Sequence, residues 1–198
     1  MNLDILITPE AKLLNELRDE GLIKVLGASN WTLDRFKEAN EYALSVNKEP
    51  FSVLSNNFSL AQMNNPVWPG CFSCSEDDYV EYLKQNQIAI FPWSSQARGF
   101  FLDKQEFTGV SHVADPNQEE QVRVWGSDEN IERRKRCFEL ASKKSVDPIQ
   151  MALAFVLHQE FPSFPLIGPR NFFETENSLQ ALKIDLSEKE ISWLNLKA

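Results

Sequence analysis

The stretch Leu22-Ile-Lys-Val-Leu-Gly-Ala-Ser-Asn-Trp31 constrains this chain more than any other. Leu22 to Leu26 is a run of branched aliphatics with one lysine, bounded by Gly21 and Gly27. Such a run predicts a short buried strand. Ser29 and Asn30 follow, placing a hydroxyl and a side-chain amide just past the strand's C-terminal end. In parallel α/β folds that end carries the ligands. A hydroxyl and an amide can orient a small polar molecule, but they cannot do chemistry alone.

The same order recurs along the chain without a sequence repeat. Thr8-Pro9-Glu10 reads as a helix start, with Leu13, Leu14 and Leu17 at helical spacing and Gly21 as the stop. Thr32 caps a helix to about Asn47, with Phe36, Ala39, Ala43 and Val46 on its apolar face. Phe51 to Leu54 reads as a second strand, with Asn56 and Asn57 at its exit. Residues 60–74 read as a long loop. Ser75 caps a third helix, whose buried side is Tyr79, Tyr82 and Leu83. Ile88 to Pro92 reads as a third strand, and residues 100–128 as irregular. Helices are expected from Asn130 to Lys144 and from Asp147-Pro148 onward. Pro165 to Ile167 reads as a fourth strand, and a helix from Asn171 or Phe172 reaches Leu182. Ser187 to Glu190 is a capping box for the last helix. Strands alternating with helices imply an α/β fold with a parallel sheet and right-handed crossovers.

With 198 residues, 42% hydrophobic and 25% charged, the chain suits a single domain over 1–198 with a sizeable core. No apolar run approaches a membrane span, and the N-terminus lacks a signal peptide's basic start and cleavage site. A net charge of −9 argues against a nucleic-acid partner. The one basic cluster, Arg133 to Arg136, is expected to be a solvated helix face. Three cysteines, Cys71, Cys74 and Cys137, fit a reducing cytoplasm. Cys71 and Cys74 have zinc-like spacing but no second pair to complete a site.

Every strand exit carries hydrogen-bonding groups: Ser29 and Asn30, then Asn56 and Asn57, then Ser94 and Gln96, then Arg170. Trp93 adds an aromatic face. An aromatic plane beside amides suits a flat heteroaromatic ring bearing a carboxamide. Ser94, Arg98 and Arg170 could address phosphates. Ordinary turn chemistry places the same residue types at such exits, so the pattern alone leaves both readings open.

Four ordered motifs carry a resemblance. Gly21-Leu-Ile-Lys-Val-Leu-Gly-Ala-Ser-Asn-Trp31 resembles the G-K-I-R-x-I-G-x-S-N-W segment of the aldo/keto reductases. Ile90-Phe-Pro-Trp-Ser-Ser-Gln-Ala-Arg-Gly-Phe100 resembles their x-x-W-S-P-L-A-R-G-F segment. Met151-Ala-Leu-Ala-Phe-Val-Leu157 and Ile167-Gly-Pro-Arg170 are similar to their A-L-A-W-V-L and I-G-P-R signatures. The likeness runs from about Ala11 to Leu196. That family folds as a (β/α)8 TIM barrel and reduces aldehydes and ketones with NADP(H). The resemblance implies that this chain forms roughly the second half of such a barrel.

It also implies a set of dinucleotide contacts. Ser29, Asn30 and Asn57 would hold the nicotinamide carboxamide, although Asn57 stands where the family usually has Gln. Trp93 would stack on the nicotinamide. Ser94 and Gln96 would touch the pyrophosphate, with Arg98 and Gly168 beside them. Arg170 and Glu174 would lie near the adenosine end, with Ser178 where Asn is usual. Glu174 replaces a more usual Gln or Arg, which leaves NAD(H) open beside NADP(H). The family's Asp, Tyr, Lys and His tetrad comes from the first half of the barrel, so no catalytic residue is expected here. His112, His158, Tyr42, Tyr79 and Tyr82 are expected in packing or surface roles.

Four strands of an eight-stranded barrel cannot close. Their outer edges and inner face would meet water. At about 25 cal/mol per Å² of apolar surface, a few hundred Å² left exposed costs several kcal/mol. The expected partners are therefore a dinucleotide and either a missing N-terminal half-barrel or a second copy of this chain. The other reading is a non-catalytic module that self-associates or docks a partner.

Overall fold

The computed structural model describes residues 4–102 and 116–197, with side chains from 12 and from 119 onward. Its elements are α1 (Asp4–Asp19), β1 (Gly27–Ser29), α2 (Leu33–Ser45), β2 (Val53–Ser55), α3 (Asp77–Asn86), β3 (Ala89–Ile90), α4 (Pro116–Trp125), α5 (Asp128–Lys144), α6 (Pro148–Leu157), α7 (Phe172–Gln180) and α8 (Glu188–Leu194). The strands are parallel and lie in the order β1-β2-β3. Ala28, Leu54 and Ile90 stand abreast in their register. This is the α/β class expected from alternating elements.

Residues 162–166 run beside β3 as a fourth extended segment. The Ile90 N–H donates to the Pro162 carbonyl at 2.8 Å, Phe164 N–H to the Ile90 carbonyl at 2.8 Å, and Leu166 N–H to the Pro92 carbonyl at 3.0 Å. The strand expected at Pro165–Ile167 is thus displaced toward Pro162 and reduced to one bridge, Ile90 with Ser163. Pro165 lies within it and has no N–H to extend a ladder.

The sheet has two unlike faces. Ala28, Leu54 and Ile90 join a core with Phe36, Tyr79, Leu83, Met151 and Phe155. The other face carries Ser29, Ser55, Phe91 and Phe164, and it is open: Phe91 is 36% and Phe164 53% exposed. Their rings stack at 5.2 Å.

The first strand lies later than its sequence suggests. Leu22 and Val25 are 69% and 58% exposed, and pairing begins at Gly27. A strand exists only where a partner runs beside it. Here β2 begins at Val53, and upstream only the Leu26 carbonyl is reached, by the Ser52 N–H at 3.1 Å.

Helix boundaries follow local signals more closely. Thr32 caps α2, its hydroxyl accepting the Arg35 N–H at 3.3 Å. Val46 is the exposed C-cap of α2, not part of its buried face. Asp147 and Pro148 start α6, and Ser187 with Glu190 forms the capping box of α8. The first helix begins at Asp4, ahead of Thr8. The third begins at Asp77 with Glu76 as N-cap, because the Ser75 hydroxyl pairs with that of Ser73 at 3.0 Å. The fifth begins at Asp128, where Ser127 accepts the Asn130 N–H at 3.3 Å.

Two expectations fail more substantially. Part of the 100–128 stretch is α4, which buries Val124 and Trp125 completely. Pro116 opens α4, where a proline costs no helical hydrogen bond. The basic cluster is not simply a solvated face. Arg133 is buried, Arg134 donates to the Phe100 carbonyl at 2.9 Å, and Arg136 donates to the Trp193 carbonyl at 2.7 Å. The guanidiniums of Arg134 and Arg136 cap loop and helix-end carbonyls, and that of Arg133 donates to Asn130 Oδ1 at 3.2 Å.

Candidate functional site: the strand exits

The polar groups at the strand exits are first used to tie the exits to one another. Ser29 Oγ donates to the Ser55 carbonyl at 2.9 Å, and Ser55 Oγ donates to the Phe91 carbonyl at 2.9 Å. Asn56 grips the first exit with both ends of its amide. Its Oδ1 accepts the Trp31 N–H at 3.2 Å, and its Nδ2 donates to the Trp31 carbonyl at 2.7 Å. Asn57 holds the third exit, donating from Nδ2 to the Trp93 carbonyl at 3.1 Å.

This work divides the candidate residues. Asn57 has no exposed surface, and its Oδ1 is buried without a hydrogen-bond partner. In this conformation it frames the exit and does not face solvent. Ser29 and Asn30 sit at the surface. Asn30 adopts φ 55°, the left-handed region that its short amide tolerates. Its Oδ1 accepts the Phe72 N–H at 3.2 Å, and its Nδ2 lies 3.4 Å from Ser29 Oγ. The first exit is thereby joined to the 60–74 loop.

The third exit concentrates backbone strain. Ser94, Ala97 and Arg98 have positive φ, at 50°, 47° and 49°. Such residues cost free energy and cluster at ligand clamps and active sites. Trp93 is half-buried, and its Nε1 has no hydrogen-bond partner. Arg98 donates from Nε to Ser94 Oγ at 3.3 Å and pairs through Nη1 with Glu120 at 2.8 Å. Gln96 Nε2 lies 3.4 Å from Ser178 Oγ, which connects this exit to α7.

At the fourth exit Gly168 is open, with no atom within 4 Å of where a Cβ would stand. Arg170 then folds back on Glu174. Its Nη2 lies 2.8 Å from Oε1, and its backbone N–H donates to Oε2 at 2.8 Å. The guanidinium hydrogen bond holds the Glu174 carboxyl below its ordinary 4.5. Both exit arginines are therefore paired with carboxylates, so a phosphate group must compete for them.

The other titratable side chains serve the fold. Tyr79 is buried and donates its hydroxyl to the Trp31 carbonyl at 3.2 Å, and burial raises its pKa. Burial likewise raises the thiols of Cys74 and Cys137. His158 Nδ1 sits 2.9 Å from the Ala154 carbonyl at the end of α6. His112 lies outside the described residues. No group of three or more His, Cys, Asp or Glu side chains among the described residues is arranged to hold a metal.

Two residues at these exits escaped the sequence reading: Trp68 and Glu120. Asn56 stood beside Asn57 at a predicted exit, but only the structure shows its amide reaching Trp31. Trp68 belongs to a Trp-Pro-Gly sequence that signals a turn but says nothing of where the ring lands.

The aldo/keto reductase family model matches residues 4–197. The chain belongs to the aldo/keto reductase family. It is 26% identical over 178 residues to norsolorinic acid reductase A of Aspergillus parasiticus, a match covering 90% of this chain and 41% of that protein. It is 28% identical over 182 residues to "Probable aldo-keto reductase 1" of Glycine max, covering 90% and 47%. The chain thus spans about half the length of the curated relatives it matches. A crystal structure of a thermostable aldo-keto reductase with the inhibitor epalrestat superposes with a TM-score of 0.61 at 18% identity, covering 95% of this chain and 53% of that one. The aldose reductase of Schistosoma japonicum gives 0.60 at 19%, covering 94% and 46%. At such identities these two speak for the fold. The family's usual ligand is an NAD(P)H dinucleotide, and the donor set at the exits fits one. It offers a half-buried indole, surface hydroxyl and amide groups, and two guanidiniums. No helix among the described residues is long and apolar enough to cross a membrane.

Proposed function

We propose that this chain is the dinucleotide-holding part of an aldo/keto reductase, corresponding to the second half of the family's barrel, and that it takes NADP(H) or NAD(H). The observation that carries this reading is the strained third exit, where Ser94, next to Trp93, takes a bond from Arg98 and where Gln96 reaches Ser178 on α7. Strain of this kind persists where the surroundings hold it for a purpose.

In this reading Ser29 and Asn30 orient the nicotinamide carboxamide, with Asn57 shaping the exit behind them. Trp93 offers the ring-stacking face. Ser94, Gln96, Arg98 and the open Gly168 backbone receive the pyrophosphate. Arg170, Glu174 and Ser178 meet the adenosine end. The bound dinucleotide would supply a hydride for a carbonyl carbon. No residue described at these exits combines the acid and base groups needed to protonate the resulting oxygen. That step belongs to residues outside this chain, either on a separate half-barrel or on a longer form of the protein. A cytoplasmic, reducing setting suits the three free cysteines.

The test is titration with NADPH, followed by energy transfer from tryptophan to the nicotinamide. Binding without aldehyde-dependent NADPH oxidation is expected. Steady turnover by this chain with several aldehydes overturns the incomplete-enzyme reading, and absence of binding overturns the dinucleotide reading.

The open sheet face favours a second reading, a docking or self-associating module. Phe91 and Phe164 stack there with substantial exposure. Size-exclusion chromatography with and without NADPH separates the two. An oligomer indifferent to nucleotide supports the module.

A further inference from the structure

The Trp93 face is already in use. The ring of Trp68 lies on it, centroid to centroid 4.6 Å with the planes tilted by 36°. Trp68 is 42% exposed, so it rests on the site from the solvent side. Two rings that flank a third ring stand about 7 Å apart, twice an optimal carbon–carbon separation. At 4.6 Å nothing fits between them.

The loop that carries Trp68 is held on purpose-built contacts. Arg123 on α4 donates from Nη1 to the Pro66 carbonyl at 2.7 Å and from Nη2 to the Val67 carbonyl at 3.1 Å. Asn65 Nδ2 returns a bond to the Arg123 carbonyl at 2.7 Å. After Trp68 the chain reverses through Pro69 and Gly70, with Gly70 at φ +85° and the Cys71 N–H donating to the Trp68 carbonyl at 3.3 Å. Proline then glycine with positive φ is the signature of a type II turn. The Arg98 guanidinium lies 5.9 Å from the Trp68 ring while paired with Glu120, also on α4. One helix thus anchors both the loop and the arginine that flank the indole pair.

We infer that Trp68 is a built-in occupant of the ring-stacking face of Trp93, and that a flat-ring ligand binds this exit by displacing it. This rests on the dinucleotide reading above and adds a gate to it. The free chain holds the indoles together, the ligand's ring replaces one indole–indole contact with an indole–ligand contact, and the turn at Pro69-Gly70 supplies the pivot. Phosphate capture by Arg98 loosens the same seat, since that guanidinium helps to hold the Trp68 ring.

Two closely stacked indoles give an exciton couplet in far-ultraviolet circular dichroism. The unliganded chain is expected to show a couplet that W68F and W93F each remove or diminish. Saturating NADPH is expected to erase it in the wild type. W68A is expected to bind NADPH about three- to tenfold more tightly, the equivalent of one aromatic pair contact. W93A is expected to bind it more weakly. If W68A proves poorly folded, W68F, with a smaller ring, is expected to bind about twofold more tightly. Binding of NADPH with the couplet intact, or with unchanged or weakened affinity in the folded Trp68 variants, overturns the gate alone. Failure of wild type and Trp68 variants alike to bind NADPH overturns the dinucleotide reading and the gate with it.

Discussion

On one side of the sheet Leu54 and Ile90 have no solvent-exposed surface, while one residue further along Ser55 and Phe91 face water on the other side. The two faces share a backbone and divide the labour. The inner side is a continuous aliphatic and aromatic core with Phe36, Leu83, Met151 and Phe155. The outer side ties strand ends together with hydroxyl and amide bonds and leaves two phenyl rings exposed. Burial along β2 and β3 is therefore divided by residue parity.

That separation can be broken most severely at Leu54. Leu54→Ala should cost about 2–5 kcal/mol through lost transfer energy and a residual cavity. A drop in the urea midpoint with little change in slope would register it. A loss below about 1 kcal/mol would mean that the two faces are equally loose. Asn56→Ala comes next. It strips the Trp31 N–H of its partner in a partly buried setting and leaves the Trp31 carbonyl to the Tyr79 hydroxyl alone, at about 1–3 kcal/mol. The same experiment checks it, and a neutral result would move this residue from framework to ligand contact. Phe91→Ser on the open face should cost about 0.5–1.5 kcal/mol, the loss of its stacking on Phe164, while reducing self-association in sedimentation or light scattering. A large destabilisation there would show that the outer face is covered by a second copy in solution.

The smallest effect concerns the fourth exit. The Glu174 carboxyl is held below 4.5 by its hydrogen bond from Arg170. A depressed carboxylate contributes above its unfolded pKa and loses that contribution as pH falls through its folded value. The Arg170–Glu174 pair should therefore stay closed through neutral and mildly acidic solution and open only below pH 4.5. A carboxyl titration by NMR follows it directly. Because both groups lie at the surface, the melting temperature should hardly respond.

Sequence reading succeeded where structure is decided locally. Thr32, Asp147 with Pro148, and Ser187 with Glu190 satisfy helix ends through neighbours within three residues. The strands are less legible because their bounds depend on distant partners. Leu22 and Val25 have strand-like side chains but lack a strand beside them. The exits were legible as a set of polar positions, and the family motifs sharpened that set. What each group does was not legible. Asn57 is drawn inward to Trp93 and Gln96 toward Ser178, across 36 and 82 residues of chain. Trp68 reaches Trp93 from a loop whose own sequence announces only a turn.

One further consequence comes from Pro165. Its neighbours Phe164 and Leu166 spend their N–H groups on Ile90 and Pro92, so the margin of the sheet beyond them would need Pro165 as a donor, and it has none to give. A stray extended peptide finds an interrupted ladder there, and templated fibre growth is blunted from that side. Replacing this imino acid with valine would hand the molecule a continuous sticky border.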